Sequence, residues 1–167
     1  MGGISLMARM LIKASEAYTL MLSRLQTNQE KIAKQAVYAG AKVVADKIKQ
    51  NLVALPEENF KHLKNGEQFS GLPKRHKLDL VHSFGIAKIS LDNQGNWNTK
   101  IGFDGYGSMP TKKYPNGLPN QLLARSIESG SSVRKKTPFV RPGLNSSKGE
   151  AEKQMEQVIN EALQKQE

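Results

Sequence analysis

Cysteine is absent from this sequence of 167 residues, and tryptophan occurs once. The lack of cysteine excludes disulfide bonds, thiolate catalysis and cysteine-ligated zinc sites, and it is typical of proteins made in a reducing compartment. Aromatic residues make up only 6% of the chain, whereas methionine occurs six times. We therefore expect a core built mainly from aliphatic side chains and methionine.

Long apolar runs are also missing. No stretch approaches the roughly 20 apolar residues that a membrane-spanning helix needs. Residues 1–13 lack the charged start, long apolar centre and small-residue cleavage site of a secretion signal. The sequence therefore predicts a protein made in a cytoplasm, without a membrane partner.

Acidic residues are few relative to basic ones, with 15 Asp and Glu against 25 Lys and Arg and a formal net charge of +10. This excess favours an acidic partner, and charge alone leaves nucleic acid, an anionic membrane surface, an acidic protein face and simple loop solvation open. The basic residues occur in short groups rather than in one tail. The candidate partner-binding residues are Lys74, Arg75, Lys112, Lys113, Arg134, Lys135, Lys136 and Arg141.

The length predicts a single domain over residues 1–167. Residues 1–13 are predicted to form an N-terminal arm or an edge strand, and residues 16–25 a short helix. Thr27 and Glu30 have the spacing of a capping box, so a long helix is expected from there to about Val53. Small residues on one side of it would let another element approach closely: Ala36, Ala39, Gly40 and Ala41.

Pro56 is predicted to end this helix, and residues 57–77 to form a loop excursion, which in a small domain is usually functional or mobile. A short helix running into a strand should follow. Residues 86–92 and 97–103 alternate in polarity around the turn-forming residues 93–96, which predicts a β-hairpin with Ala87, Ile89 and Leu91 facing inward.

Residues 102–116 read as a loop, and Pro119 suits the first turn of a helix that ends before Gly130. Residues 130–146 are predicted to be an extended basic and proline-containing linker, with Phe139 buried and Arg141 pointing away by strand alternation. A capping box at Ser147 should start the C-terminal helix. The predicted fold class is α+β, with a small antiparallel sheet built on the hairpin and packed against a long N-terminal helix and a C-terminal helix.

Catalytic and metal-binding patterns are not apparent, so we predict no enzyme activity, no cofactor and no metal. The three histidines show no metal-ligand spacing, and the glycine-rich residues 102–107 lack the Lys-Ser/Thr of a phosphate-binding loop. The aspartates at the predicted turns and strands are not paired as acid and base. These residues are His62, His76, His82, Asp79, Asp92 and Asp104.

Residues 138–144, with the sequence Pro-Phe-Val-Arg-Pro-Gly-Leu, and residues 127–132, with Ile-Glu-Ser-Gly-Ser-Ser, carry a family resemblance. Upstream, residues 70–72 and 80–84 read Ser-Gly-Leu and Leu-Val-His-Ser-Phe. Together they resemble the head–tail joining, or tail-completion, family of siphophage neck proteins, over about residues 16–163. The chain departs from the family pattern in the insertion at residues 57–77 and in Gly143.

The resemblance implies a structural virion protein without enzymatic activity, assembled in the host cytoplasm into a homo-oligomeric ring between head and tail. Its partners would be the portal or connector, the tail tube or tail terminator, and DNA passing through the channel. From the residues themselves, segments 1–11, 57–77 and 109–116 are candidate interface pieces, and each is equally compatible with a frayed end or a solvated loop. The residues by themselves leave a second hypothesis open, a basic, non-specific DNA-binding protein of phage or bacterial origin.

Overall fold

The computed structural model describes residues 8–10, 29–59 and 64–165. These residues form four helices and four strands in an α+β arrangement, as the sequence predicts. In chain order the elements are β1 (Ala8–Met10), α1 (Gln29–Val53), α2 (Lys74–Ser83), β2 (Phe84–Ile86), β3 (Ser90–Leu91), β4 (Trp97–Phe103), α3 (Asn120–Ser129) and α4 (Val140–Gln164). The predicted helix at residues 16–25 lies outside the described residues.

The two long helices, α1 and α4, pack antiparallel and form the frame of the fold. Gly143, near the start of α4, lies against Ile48 towards the end of α1. Met155 and Ile159, further along α4, pack with Ile32 near the start of α1. The predicted long helix is confirmed, and so is the close approach along its small residues, of which Ala36, Gly40 and Ala41 are buried.

The approach of α4 to α1 is closest at Gly143. A Cβ atom there would lie 2.8 Å from Ile48 Cγ1 and 3.1 Å from its Cα, which is closer than non-bonded carbon atoms approach. Glycine therefore allows the two helix backbones to come together at this point.

Strand β4 is the centre of the sheet. Strand β1 pairs antiparallel with it along one edge, so residues 8–10 form an edge strand. Strands β2 and β3 pair consecutively with β4 to complete the predicted hairpin. The burial of Thr99, Ile101 and Phe103 confirms the predicted alternation along β4.

The inward orientation predicted for Ala87 is wrong, since it is exposed. Leu91 is paired with Trp97 and so shares its face of the sheet, but it lies at the end of the strand pair and is 53% exposed. Ile86 pairs with Ile101, whereas Ser90 pairs with Asn98. The segment from β2 to β3 therefore contains one more residue than the part of β4 that it pairs with. This extra residue is a β-bulge, which changes the face that following side chains occupy. The prediction missed it because a strict alternation was extended through the bulge.

Phe139 anchors the core, as predicted from the sequence. Its ring is 1% exposed and lies 6.0 Å from the ring of Phe103 in an edge-on arrangement. Phe103 in turn contacts Phe84 at 5.1 Å, so three aromatic rings join the sheet to the start of α4. Edge-on aromatic pairs contribute about 0.5–1.5 kcal/mol beyond the area that they bury.

The predicted extended linker at residues 130–146 is wrong in its second half, because α4 begins at Val140. Pro142 falls in the first turn, where proline is tolerated since its missing N–H would have no partner in the helix. The predicted capping box does not form. Ser147 is buried inside α4, where its hydroxyl donates to the Gly143 carbonyl oxygen at 2.6 Å.

The predicted loop at residues 57–77 is shorter, because α2 begins at Lys74. The described part before α2 makes two isolated parallel bridges, Glu57 with Leu72 and Phe69 with Arg134, and it contains a turn closed by the Glu67 N–H and the Lys64 carbonyl oxygen. The short helix that runs into a strand is confirmed by α2 and β2. Among the described residues, no helix combines the length and apolar character needed to cross a bilayer.

Candidate interaction site at the basic end

Basic groups that are far apart in the sequence lie at one end of the molecule, where α1 ends and α4 begins. We call this the basic end. Segment 134–136 lies here because the Lys135 N–H donates to the Phe69 carbonyl oxygen at 2.7 Å. Arg141 is in the first turn of α4, and Lys74 and Arg75 open α2. Residues 104–141 contain seven Lys or Arg and only two carboxylates, so basic residues clearly outnumber acidic ones in this stretch.

Lys77 joins α2 to the end of α1. Its buried ammonium group donates to the carbonyl oxygens of Val53 at 3.0 Å and Leu55 at 2.5 Å, and it forms an ion pair with Glu57 at 3.3 Å. The last carbonyl groups of a helix have no partners within the helix, and a cation there also interacts favourably with the helix dipole. Lys77 is therefore a tertiary cap for α1, and sequence reasoning missed it.

Residues 105–120 form an ordered hairpin, which we call the finger. Its two arms are joined by Gly107 N–H to Leu118 O at 2.8 Å and Asn120 N–H to Gly105 O at 3.0 Å. At its tip, the backbone groups of Thr111 and Tyr114 bond each other in both directions. The prediction of a loop is right in outline, but the finger has a regular internal hydrogen-bond pattern that composition does not reveal.

Gly117 determines how closely the arms of the finger approach. Its φ is +107°, and a Cβ atom there would lie 2.1 Å from the Gly107 carbonyl oxygen. Both the backbone conformation and the close contact exclude other residues. The close pairing of the two arms of the finger therefore requires glycine at position 117.

Ser108 fixes the base of the finger to α2. Asp79 Oδ2 accepts hydrogen bonds from the Ser108 N–H and Oγ–H, both at 2.9 Å. Arg75 Nε donates to the Ser108 Oγ at 2.9 Å. Because Arg75 and Asp79 are four residues apart, they project from one side of α2 and hold Ser108 between them.

The outer part of the finger is exposed and mixes charge with apolar surface. Lys112 and Lys113 are exposed at the tip, and the Lys113 ammonium lies 5.6 Å from the centre of the Tyr114 ring. Tyr106 is 68% exposed and Met109 is 38% exposed on the arms. Aromatic residues and methionine are enriched in protein interfaces, whereas a contact with phosphate alone does not need them.

Arg134 is misplaced among the predicted interface residues, because it is only 7% exposed. Its guanidinium donates to the Gly71 carbonyl oxygen at 2.6 Å, and burial lowers its pKa from the usual value. It therefore fastens segment 130–139 to residues 69–72, which precede α2. Its neighbours Lys135 and Lys136 are exposed, as is Arg141.

Glu128 determines where α4 begins. This carboxylate, 5% exposed, accepts hydrogen bonds from the N–H groups of Phe139 at 2.7 Å, Val140 at 2.9 Å and Arg141 at 3.0 Å. Pro142 follows and has no N–H, so every amide of this first turn is accounted for. In the sequence, Glu128 stood out only as part of the Glu-Ser-Gly residues that carry the family resemblance. That pattern does not indicate that Glu128 binds the amides at the start of α4.

His76, in α2, is largely buried and lies close enough to Arg134 to be affected by its charge. Burial lowers its pKa, the positive charge of Arg134 lowers it further, and Asp79 acts in the opposite direction. Among the screened aspartates, Asp79 accepts from Ser108, Asp104 from the Gly105 N–H and Asp92 from the amides of the hairpin turn. His82 is exposed, and His62 lies outside the described residues. The described part of the chain contains no group of three or more His, Cys, Asp or Glu placed to hold a metal ion.

Comparison of the chain with models of protein families, with curated proteins and with solved structures found no match.

Proposed function

We propose that this chain is a non-enzymatic structural subunit of a siphophage neck, forming a ring that joins the head to the tail or completes the end of the tail. The observation that carries this proposal is the finger. It is ordered by its own hydrogen bonds and fixed at Ser108, yet its tip is exposed. A preorganised projection loses little conformational freedom on binding, which favours a role in assembly.

The contact between the two parts of the family signature supports the neck assignment. Glu128, from the first part, binds the backbone amides at the start of the second part. The signature residues thus act together as one structural joint that sets the direction of α4. Phe139 belongs to the same signature. Its side chain is buried in the core, and its N–H is one of the amides that Glu128 binds.

Assembly is tested by light scattering of the purified chain, alone and with the portal or connector and the tail tube or tail terminator encoded beside it. We expect oligomers alone or with these partners. Arg141→Ala should weaken assembly and spare the fold, because its side chain is exposed and only its backbone N–H contributes to the Glu128 cap. A strictly monomeric protein that binds none of these partners would refute the proposal.

A basic, non-specific DNA-binding protein is the second candidate. It is favoured by the grouping of Lys74, Lys112, Lys135 and their neighbours at the basic end. The assay is binding to duplex DNA over a range of salt concentrations, since phosphate contacts make affinity fall steeply with salt. No measurable binding at low salt would remove this candidate.

A further inference from the structure

The second half of α4 differs in charge from the basic end. The second half of α4, residues 150–164, carries four Glu and one Lys, in contrast to the basic residues 104–141. From Gly143 to Glu156 the helix rises roughly 20 Å, at about 1.5 Å per residue. Met155 and Ile159 in this half pack with Trp97, at the start of β4, whereas the finger follows the other end of β4. The acidic half of α4 and the finger therefore lie at opposite ends.

The outer side of this half of α4 is a largely open surface with two carboxylates and one ammonium group, which we call the acidic face. It is lined by Lys153, Glu156, Gln157, Asn160, Glu161 and Gln164. Glu156 and Glu161 are exposed, and neither makes an ion pair with another described residue. Since α1 covers the opposite side of the helix, this face is open to a partner.

We propose that the finger of one copy docks on the acidic face of the next copy, with Lys112 and Lys113 against Glu156 and Glu161. The proposal rests on the self-assembly proposed above and names the contact that produces it. The charges are complementary, and the two surfaces lie on the same chain. DNA does not suit the acidic face, because its phosphates would meet carboxylates.

This contact joins two different surfaces, so each copy keeps one free surface after the first contact. Such a heterologous contact repeats head to tail and produces a ring where the rotation between copies closes. The fixed base of the finger gives the contact the same direction in every copy, because Ser108 is held against α2. The tip contributes charge, and Tyr106 and Met109 contribute apolar contact area.

The test uses two charge-reversal variants of the full chain, K112E/K113E and E156K/E161K. Light scattering at low and high salt should show the wild-type chain associating more strongly at low salt. Each variant alone should associate more than about tenfold more weakly, since like charges placed opposite each other disfavour the contact. The substituted side chains are exposed, so circular dichroism should show wild-type folding.

Equimolar mixing of the two variants gives the sharper result. Between the two variants both contacts pair opposite charges: the native finger of E156K/E161K meets the native acidic face of K112E/K113E, and the reversed finger meets the reversed face. We expect mixing to restore the association that each variant lacks alone, in oligomers where the two variants alternate; a mixture that associates no better than either variant alone would overturn the proposed contact. K88E/K100E, which changes the net charge as much as K112E/K113E at exposed positions of the hairpin, should associate as the wild type does.

Other outcomes separate the two proposals. If the wild type forms oligomers and both variants match it, the finger contact is wrong while self-assembly stands. If the wild type is monomeric alone and with the neck and tail partners, both proposals fail. If K112E/K113E loses DNA affinity but keeps wild-type self-association, the finger is a nucleic-acid contact and the docking proposal is overturned.

Discussion

Replacement of Glu128 tests whether a buried carboxylate determines the start of α4. In Glu128→Gln the side chain keeps its shape but loses its charge, and one acceptor oxygen becomes an N–H₂ group that faces amide donors. If the remaining oxygen keeps the Phe139 and Val140 bonds, the bond from Arg141 is lost. A hydrogen bond to a charged group contributes about 1.5–3 kcal/mol, so we expect this variant to lose about that much stability.

Glu128→Ala should cost more, because all three amides lose their acceptor at a site that is almost fully buried. An unsatisfied buried donor costs about 1–3 kcal/mol, but water entering the space left by the side chain reduces the total. We expect about 3–5 kcal/mol, which is a large part of the roughly 5–15 kcal/mol that stabilises a typical domain. Glu128→Ala should lose more stability than Glu128→Gln because it leaves three backbone amides without an acceptor rather than one.

The measurement is urea unfolding followed by circular dichroism, with the free energy of unfolding extrapolated to water. Glu150→Gln is the matched control, because Glu150 is an exposed residue of α4 and should stay within about 0.5 kcal/mol of the wild type. A Glu128→Gln variant as stable as this control would show that the hydrogen bonds are unimportant for the start of α4. The early start of α4 would then need a cause other than the Glu128 cap.

Phe139→Ala should lower the free energy of unfolding by about 3–5 kcal/mol, as measured by urea unfolding, because its ring is fully buried; a loss below about 1 kcal/mol would contradict its role as core anchor. Gly143→Ala should destabilise by about 1–3 kcal/mol because its Cβ would meet Ile48, whereas Gly149→Ala, in open space on the same helix, should stabilise by roughly 0.5–1 kcal/mol; equal effects would refute the close packing. The lowered pKa of His76 means that the unfolded chain binds the proton more readily, so stability should fall as pH drops below about 6.5 towards the lower folded-state pKa. Urea midpoints for the wild type and His76→Gln at neutral and acidic pH would show whether this loss belongs to His76.

Local periodicity was sufficient to predict the helices and the hairpin. The apolar spacing of α1 and its small residues indicated both a long helix and a close partner, and Gly130 ends α3 where its φ of +75° suits glycine. These features depend on interactions between residues a few positions apart, which a sequence pattern records directly. The burial of Phe139 was also expected, although it was inferred from an extended alternation that does not continue, because α4 begins at Val140.

The candidate site depended on contacts that no local pattern contains. Arg134 looks like a surface cation in a basic run, and only the approach of Gly71, far away in the chain, makes it a buried donor. The finger has the composition of a plain loop, and its order comes from paired backbone groups and from Ser108 held by α2. Sequence spacing could not show that these segments share one end of the molecule.

Composition and short-range periodicity were enough to establish the fold class, the principal helices, the hairpin and the excess of positive charge. The start of α4, the exposure of each basic residue and the placement of the basic groups at one end depended on tertiary contacts. This difference arises because a buried amide or cation takes whichever partner the fold brings near it. Glu128 is the clearest case, since its partners at the start of α4 are in another element.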